Sequence, residues 1–288
     1  MEVLRYAAFT TEPSGGNPAG VVLDATGMTA DEMQRVAADV GYSETAFLTP
    51  TGAPGAFDVR YFSPLAEVPF CGHATIASGV ALAEHGTWGP LRFATAAGRV
   101  PVGTDVGEGG RIVATLVSVA PRTEPLAPDD LTELLASLGW DVDDLDPALP
   151  PRVAYAGAWH PVLAVHRRSR LARLDYAFDR LGVLMAARGW TTIALVHREN
   201  ETVFHARNPF PPGGVVEDPA TGAAAAALGG YLRELALVTP PVMLTVHQGD
   251  DLGRPGLLRV DVPRDPATGI SVSGTAARMT PEGAHRER

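Results

Sequence analysis

The feature that most constrains this chain is a match between two of its own segments 150 residues apart. Setting Glu67–Glu84 against Glu217–Glu234 gives 18 aligned pairs, of which eight are identical. They are Glu67/Glu217, Pro69/Pro219, Gly72/Gly222, Ala74/Ala224, Ala77/Ala227, Gly79/Gly229, Leu82/Leu232 and Glu84/Glu234. Both segments read as helices rich in small residues, the second mostly alanine and glycine, and apolar nearly all round, so each has to be buried on every side. Strands wrapped around such a helix would bury it, and small side chains let the strands come close.

The order of elements supports a duplication. Thr29-Ala30-Asp31-Glu32 reads as a capping box opening a helix to about Val40. Strand-like runs follow at Glu44–Thr49 and Phe57–Phe62, and then the first small-residue helix. Later an amphipathic helix is expected over Ser169–Arg188, with strands at Thr191–Val196 and Thr202–Ala206 before the second small-residue helix. A further helix reads at Asp129–Gly139, and strands at Val242–His247, Leu257–Val262 and Ile270–Ala277 close the chain. The expected fold class is α+β: two pseudo-symmetric halves, each a mostly antiparallel, barrel-like sheet around a central helix. The proline-rich run Pro121–Pro128 marks the join, giving halves 1–120 and 121–288, with a charged tail at Glu282–Arg288.

Composition removes several function classes. The chain contains no lysine, so a pyridoxal phosphate enzyme, which needs a lysine amine for its Schiff base, is excluded. Cys71 is the only cysteine, which excludes an intrachain disulfide and a racemase with two opposed thiols. Dinucleotide and P-loop fingerprints are absent, and the eight histidines show neither H-x-H nor H-E-x-x-H spacing, so no cofactor and no metal are expected. A net charge of −10 argues against nucleic acid as a partner. No apolar run is long enough to span a bilayer and the N-terminus lacks a signal-peptide core, so a cytoplasmic location without membrane contact is expected. The basic cluster His166–Arg173 reads as a solvated helix face.

Each small-residue helix opens on a turn with polar groups: Phe70-Cys71-Gly72-His73-Ala74-Thr75, and Asp218-Pro219-Ala220-Thr221-Gly222. Asp218-Pro219 has the character of an N-cap followed by N1, and bare amides at a helix N-terminus favour an anion such as a carboxylate. Asn17 and Asn208 each precede proline and read as turn residues; Cys71 reads as small buried filler; Glu67 and Glu217 recur in both turns and read as structural.

Four stretches carry a resemblance: G-G-N-P-A-G-V-V (15–22), G-Y-S-E-T-A-F-L (41–48), R-Y-F-S-P-L-A-E-V-P-F-C-G-H-A-T (60–75) and E-D-P-A-T-G (217–222). In order and spacing they resemble the phenazine-biosynthesis-type isomerases, a cofactor-free group sharing the diaminopimelate epimerase fold, over nearly the whole chain. The resemblance implies a site in the cleft, a last strand (about 269–279) returning to the first half, and a homodimer. It places the family's acid/base glutamate on Glu44, its histidine on His73 and its aspartate on Asp218. Its substrate-carboxylate clamp falls on Gly72–His73 and Thr221–Gly222. Many members follow D-P-x-T-G with serine, where this chain has Ala223. The implied activity is a proton shift on a small carboxylate-bearing metabolite. One carboxyl can remove the proton and return it where burial brings its pKa toward neutrality. An epimerase of a small amino or hydroxy acid, or a non-catalytic carboxylate-binding homologue, are the alternatives.

Overall fold

The computed structural model describes residues 2–280, so the tail Glu282–Arg288 lies outside the described residues. The chain divides into two compact units, one running to Val117 and resuming at Ser273, the other Ser118–Val272.

The first unit contains β1 (Leu4–Ala8), β2 (Asn17–Val22), α1 (Ala30–Val40), β3 (Glu44–Pro50), β4 (Ala56–Phe62), β5 (Glu67–Val68), α2 (Gly72–Glu84), β6 (Leu91–Thr95), β7 (Gly98–Val106) and β8 (Ile112–Val117). The capping box forms as expected: Thr29 accepts from the Glu32 amide and the Glu32 carboxylate takes the Thr29 amide. Gly41 ends α1 at φ 72°, a left-handed conformation that glycine adopts without steric cost. Met33 and Ala37 of this helix pack on Phe47 and Phe62 of β3 and β4.

The second unit contains β9 (Arg122–Pro125), α3 (Pro128–Leu138), β10 (Arg152–Tyr155), β11 (Trp159–Ala164), α4 (Arg168–Ala172), α5 (Phe178–Arg188), β12 (Ala194–Arg198), β13 (Val203–Phe210), β14 (Val215–Asp218), α6 (Gly222–Glu234), β15 (Val242–Gln248) and β16 (Gly256–Val262); β17 (Ser271–Gly274) begins in it and ends in the returning segment of the first. The final strand, β18 (Ala276–Arg278), pairs antiparallel with β1.

Each unit repeats one pairing scheme. In the first, β2–β3 is parallel, β3–β4 antiparallel, β4–β6 parallel and β6–β7 antiparallel. In the second, β11–β12 is parallel, β12–β13 antiparallel, β13–β15 parallel and β15–β16 antiparallel. The helices α2 and α6 have 13 residues each and start 150 residues apart, the offset of the sequence match. Residues 73–83 of α2 are all buried, against β1, β2, β3, β7 and β8. α6 is buried from Ala224 to Leu232 against β9, β10, β11 and β16.

The repeated glycines explain the small-residue composition. A Cβ on Gly79 would stand 2.9 Å from the Ala114 Cβ, and one on Gly229 2.9 Å from Val260 Cγ1 and 3.0 Å from Ile270 Cγ2. At such approaches even one added methyl forces the sheet outward. The repeated glutamates are equally structural. Glu67 forms a two-pronged ion pair with Arg60 at 2.7 Å, and Glu217 forms one with Arg207. Both arginines lie two residues before the strand residue that faces their glutamate: Phe62↔Glu67 and Pro209↔Glu217. Glu84 accepts from the Tyr6 hydroxyl at 2.6 Å, and Glu234 from the Thr123 amide and hydroxyl at 2.8 and 2.6 Å, tying each helix end to a strand.

Three expectations need correction. The single helix over Ser169–Arg188 is two, α4 and α5, because the break draws its hydrogen bonds from elsewhere. The Arg207 guanidinium takes the carbonyls of Leu171 and Ala172, and the Ala177 amide bonds to Ser137 O at 2.9 Å. The basic cluster is not simply solvated: Arg168 pairs with Asp251 at 2.9 Å and Arg170 with Asp144 at 3.0 Å. Asn17 and Asn208 are buried strand residues rather than turn residues, held by side-chain hydrogen bonds. No helix among the described residues is long and apolar enough to cross a membrane.

Candidate active site

Glu44 and His73 are brought together in the first unit. Glu44 is the first residue of β3, and His73 is the second residue of α2; their Oε2 and Nε2 atoms lie 3.3 Å apart. Side-chain exposure is 12% for Glu44 and 6% for His73, so the carboxylate keeps a small opening while the imidazole is enclosed.

Three further residues complete the cluster, and none of them reads from sequence as part of a site: Asn17 reads as a turn residue, Cys71 as buried filler, and Ser43 has no reading of its own. Asn17 Nδ2, at the start of β2, lies 3.1 Å from His73 Nδ1. With that amide as donor, Nδ1 accepts and the ring proton sits on Nε2, toward Glu44. Ser43 Oγ is 3.3 Å from the same Nε2. Cys71 Sγ lies 3.3 Å from His73 Nδ1, 3.7 Å from Nε2 and 3.5 Å from Glu44 Oε2. Cys71 is buried, as its reading as small buried filler has it, but it is more than filler: it is the N-cap residue of α2, and its thiol points into the acid–imidazole pair. Beneath them, Thr75 donates to the Cys71 carbonyl at 2.7 Å and so receives the Tyr61 hydroxyl at 2.6 Å. Burial pushes the Tyr61 hydroxyl well above its usual pKa, keeping it a neutral donor that fixes the helix opening.

Gly72 is the first residue of α2, so its amide belongs to the first turn, whose N–H groups have no partner within the helix. At the second helix opening the geometry departs from expectation. Asp218 is the last residue of β14, opposite Asn208, and Thr221 occupies the N-cap of α6. Strand pairing with β13 holds Asp218 back, so cap and aspartate are different residues. Thr221 Oγ1 donates to Asp218 Oδ2 at 2.6 Å.

The Thr221 amide is also not open to an anion, because Gln248 Oε1 accepts it at 3.0 Å. Gln248 Nε2 reaches the Asp218 carbonyl at 2.7 Å and Thr221 Oγ1 at 2.9 Å. Of this half of the expected clamp, Gly222 is the first residue of α6 and is buried. A sequence signal for Gln248 exists: Leu244, Val246 and Gln248 occupy the buried phase of β15, where an amide has to find partners.

The pentapeptide D-P-A-T-G occurs a second time, at Asp265–Gly269. There Thr268 also donates to its aspartate, at 3.1 Å, but Arg233 gathers the carbonyls of Asp265, Pro266 and Thr268 and no helix follows. The aspartate–threonine bond is thus local to the pentapeptide; what sets Asp218 apart is β14, α6 and Gln248.

The model of the phenazine biosynthesis-like protein family matches residues 6–281. The chain belongs to that family. It is 33% identical over 287 residues to a Bacillus subtilis protein named as an uncharacterized isomerase, YfhB, covering 96% of this chain and 95% of that one. It is 29% identical over 269 residues to the trans-2,3-dihydro-3-hydroxyanthranilate isomerase of Pseudomonas chlororaphis, covering 93% of each. Among solved structures, a Bacillus anthracis phenazine biosynthesis protein of the PhzF family superposes with a TM-score of 0.87 at 31% identity, covering 97% of this chain and 98% of that one. The family carries a general isomerase role, and the chain is an isomerase of this kind.

Proposed function

We propose that the chain is a cofactor-independent isomerase that moves a proton on a small carboxylate-bearing metabolite, with Glu44 as the acid/base. The observation that carries this reading is the Glu44 carboxylate, almost enclosed, 3.3 Å from the His73 imidazole, with Asn17 fixing the ring on its far side. A proton leaves a substrate carbon for the Glu44 carboxylate and returns from the resulting carboxylic acid to another carbon. The electron pair stays on the substrate throughout, so the step balances without an oxidant or reductant.

His73 holds the carboxylate in place and, with Asp218, orients the substrate or protonates its enolising oxygen. Gly72 and Gly222 offer amides to the substrate carboxylate, in keeping with the affinity of helix N-termini for anions. Thr221, its amide taken by Gln248, supports Asp218 through its hydroxyl. The family resemblance extends the proposal to a homodimer, and the net charge of −10 with no bilayer-length apolar run extends it to a cytoplasmic location without nucleic acid or membrane partners.

The test is solvent isotope exchange in deuterium oxide with trans-2,3-dihydro-3-hydroxyanthranilate, the compound named for the Pseudomonas chlororaphis relative. Deuterium should enter one carbon, and Glu44→Gln should lose this by on the order of 10²-fold or more while staying folded. Failure of the unaltered chain to exchange the compound would remove it as a substrate, and unchanged exchange in Glu44→Gln would remove Glu44 as the base.

A further inference from the structure

We infer that Glu44, Cys71 and His73 form a three-ligand site for a thiophilic divalent cation, with Zn²⁺ as the natural fit, and that occupancy inhibits the enzyme. One oxygen, one sulfur and one nitrogen converge, with all donor atoms within 4.8 Å of one another. Taking Nε2 as the imidazole donor, the edges of the donor triangle are 3.7 Å (Sγ to Nε2), 3.5 Å (Sγ to Oε2) and 3.3 Å (Nε2 to Oε2). Tetrahedral zinc with its usual bond lengths requires edges of about 3.6, 3.6 and 3.4 Å. The three side chains already stand where one face of such a tetrahedron needs them.

Charge and surroundings agree with the geometry. A thiolate, a carboxylate and a neutral imidazole carry two negative charges, which a divalent cation cancels in a pocket that is almost closed. On binding, the thiol proton goes to solvent and sulfur takes its place on the metal. Asn17 Nδ2 faces Nδ1 at 3.1 Å without metal; coordination through Nε2 moves the ring proton to Nδ1, and a flip of the Asn17 amide then lets its oxygen accept that N–H as the outer contact of a ligating histidine. The fourth position of the tetrahedron is left for water. Sequence spacing conceals the site because its ligands come from β3 and from a C-x-H turn.

Binding stands independently of the proposed function. Inhibition rests on that reading, since the metal engages the lone pair through which Glu44 would take a proton.

The experiment is a Co²⁺ titration of the full chain, followed by displacement with Zn²⁺. Cys71 is the only cysteine, so a thiolate-to-cobalt charge-transfer band can report only this residue. Metal bound instead at His197, His205 and His247, stacked on neighbouring strands, would give no such band. The expected result is a band saturating at one equivalent, removed by Zn²⁺ and absent in Cys71→Ser. Asn17→Ala should bind about 10- to 100-fold more weakly.

Zn²⁺ should also shield Cys71 of the unaltered chain from iodoacetamide, a readout that needs no variant to fold. In the exchange assay, Zn²⁺ should stop the unaltered chain and leave Cys71→Ser at that variant's own metal-free rate. Absence of the band, or alkylation unaffected by Zn²⁺, would overturn the site. A band without slowed exchange would overturn the inhibition while leaving the site.

Discussion

The two repeated glutamates give the sharpest stability contrast in the molecule. Glu67 and Glu217 occupy the same place in the repeat and make the same two-pronged contact with an arginine, but their surroundings differ. Side-chain exposure is 39% and 37% for Arg60 and Glu67, against 8% and 2% for Arg207 and Glu217. An exposed pair contributes about 0–1 kcal/mol. Removing one partner of a buried pair leaves an uncompensated charge and costs about 3–5 kcal/mol. Arg207 still donates to the carbonyls of Leu171 and Ala172 after the loss, which puts Glu217→Ala at the lower end, about 3 kcal/mol. At about 2–4 °C per kcal/mol, Glu217→Ala should melt about 6–12 °C below the unaltered chain, and Glu67→Ala no more than about 4 °C below it. Calorimetric melting of both variants at neutral pH measures the difference. Should Glu217→Ala not accumulate as folded protein, Glu217→Gln, which keeps the volume and one acceptor, gives a smaller drop in the same direction. Equal shifts for the two positions, or a larger one at Glu67, would refute the assignment of burial as the deciding factor.

Further outcomes follow from other contacts. Gly79→Ala and Gly229→Ala each gain about 1 kcal/mol of helix propensity but add a methyl 2.9 Å from a sheet side chain. Overpacking of about 1–3 kcal/mol should leave both neutral to destabilised in urea unfolding, and a clear gain in stability would contradict the close approach. Gln248→Leu strips partners from the Thr221 amide and the Asp218 carbonyl, and should cost at least about 2 kcal/mol; an unchanged urea midpoint would contradict the network. Burial lowers the His160 pKa to about 4, so the unfolded chain binds a proton that the folded chain refuses. The resulting stability is complete above about pH 6.5 and declines by up to about 3 kcal/mol as pH falls toward 4. His160→Asn should flatten that part of the acid profile, and an identical slope would exclude His160 as its source.

How far the sequence revealed the site depended on whether a signal was local. The duplication and the capping box of α1 are local patterns in chain order, and both appear in the structure. Contacts created by strand register carried no such pattern. Arg60 and Arg207 are plain strand residues until pairing sets each beside its glutamate, and Asn17 before Pro18 has the composition of a turn although β2 makes it a partner of His73. Cys71 has few polar signals of its own; its meaning comes from β3 delivering Glu44 to the mouth of α2. D-P-A-T-G was informative only in context, since its second copy forms the same aspartate–threonine bond in a loop.

The central claim is that Glu44 carries the proton, and solvent exchange tests it most directly. In deuterium oxide, the unaltered chain should place deuterium at one carbon of a carboxylate that it isomerises. Glu44→Gln, with an unchanged circular dichroism spectrum, should lose exchange by on the order of 10²-fold or more. Exchange by folded Glu44→Gln at the rate of the unaltered chain would contradict the account.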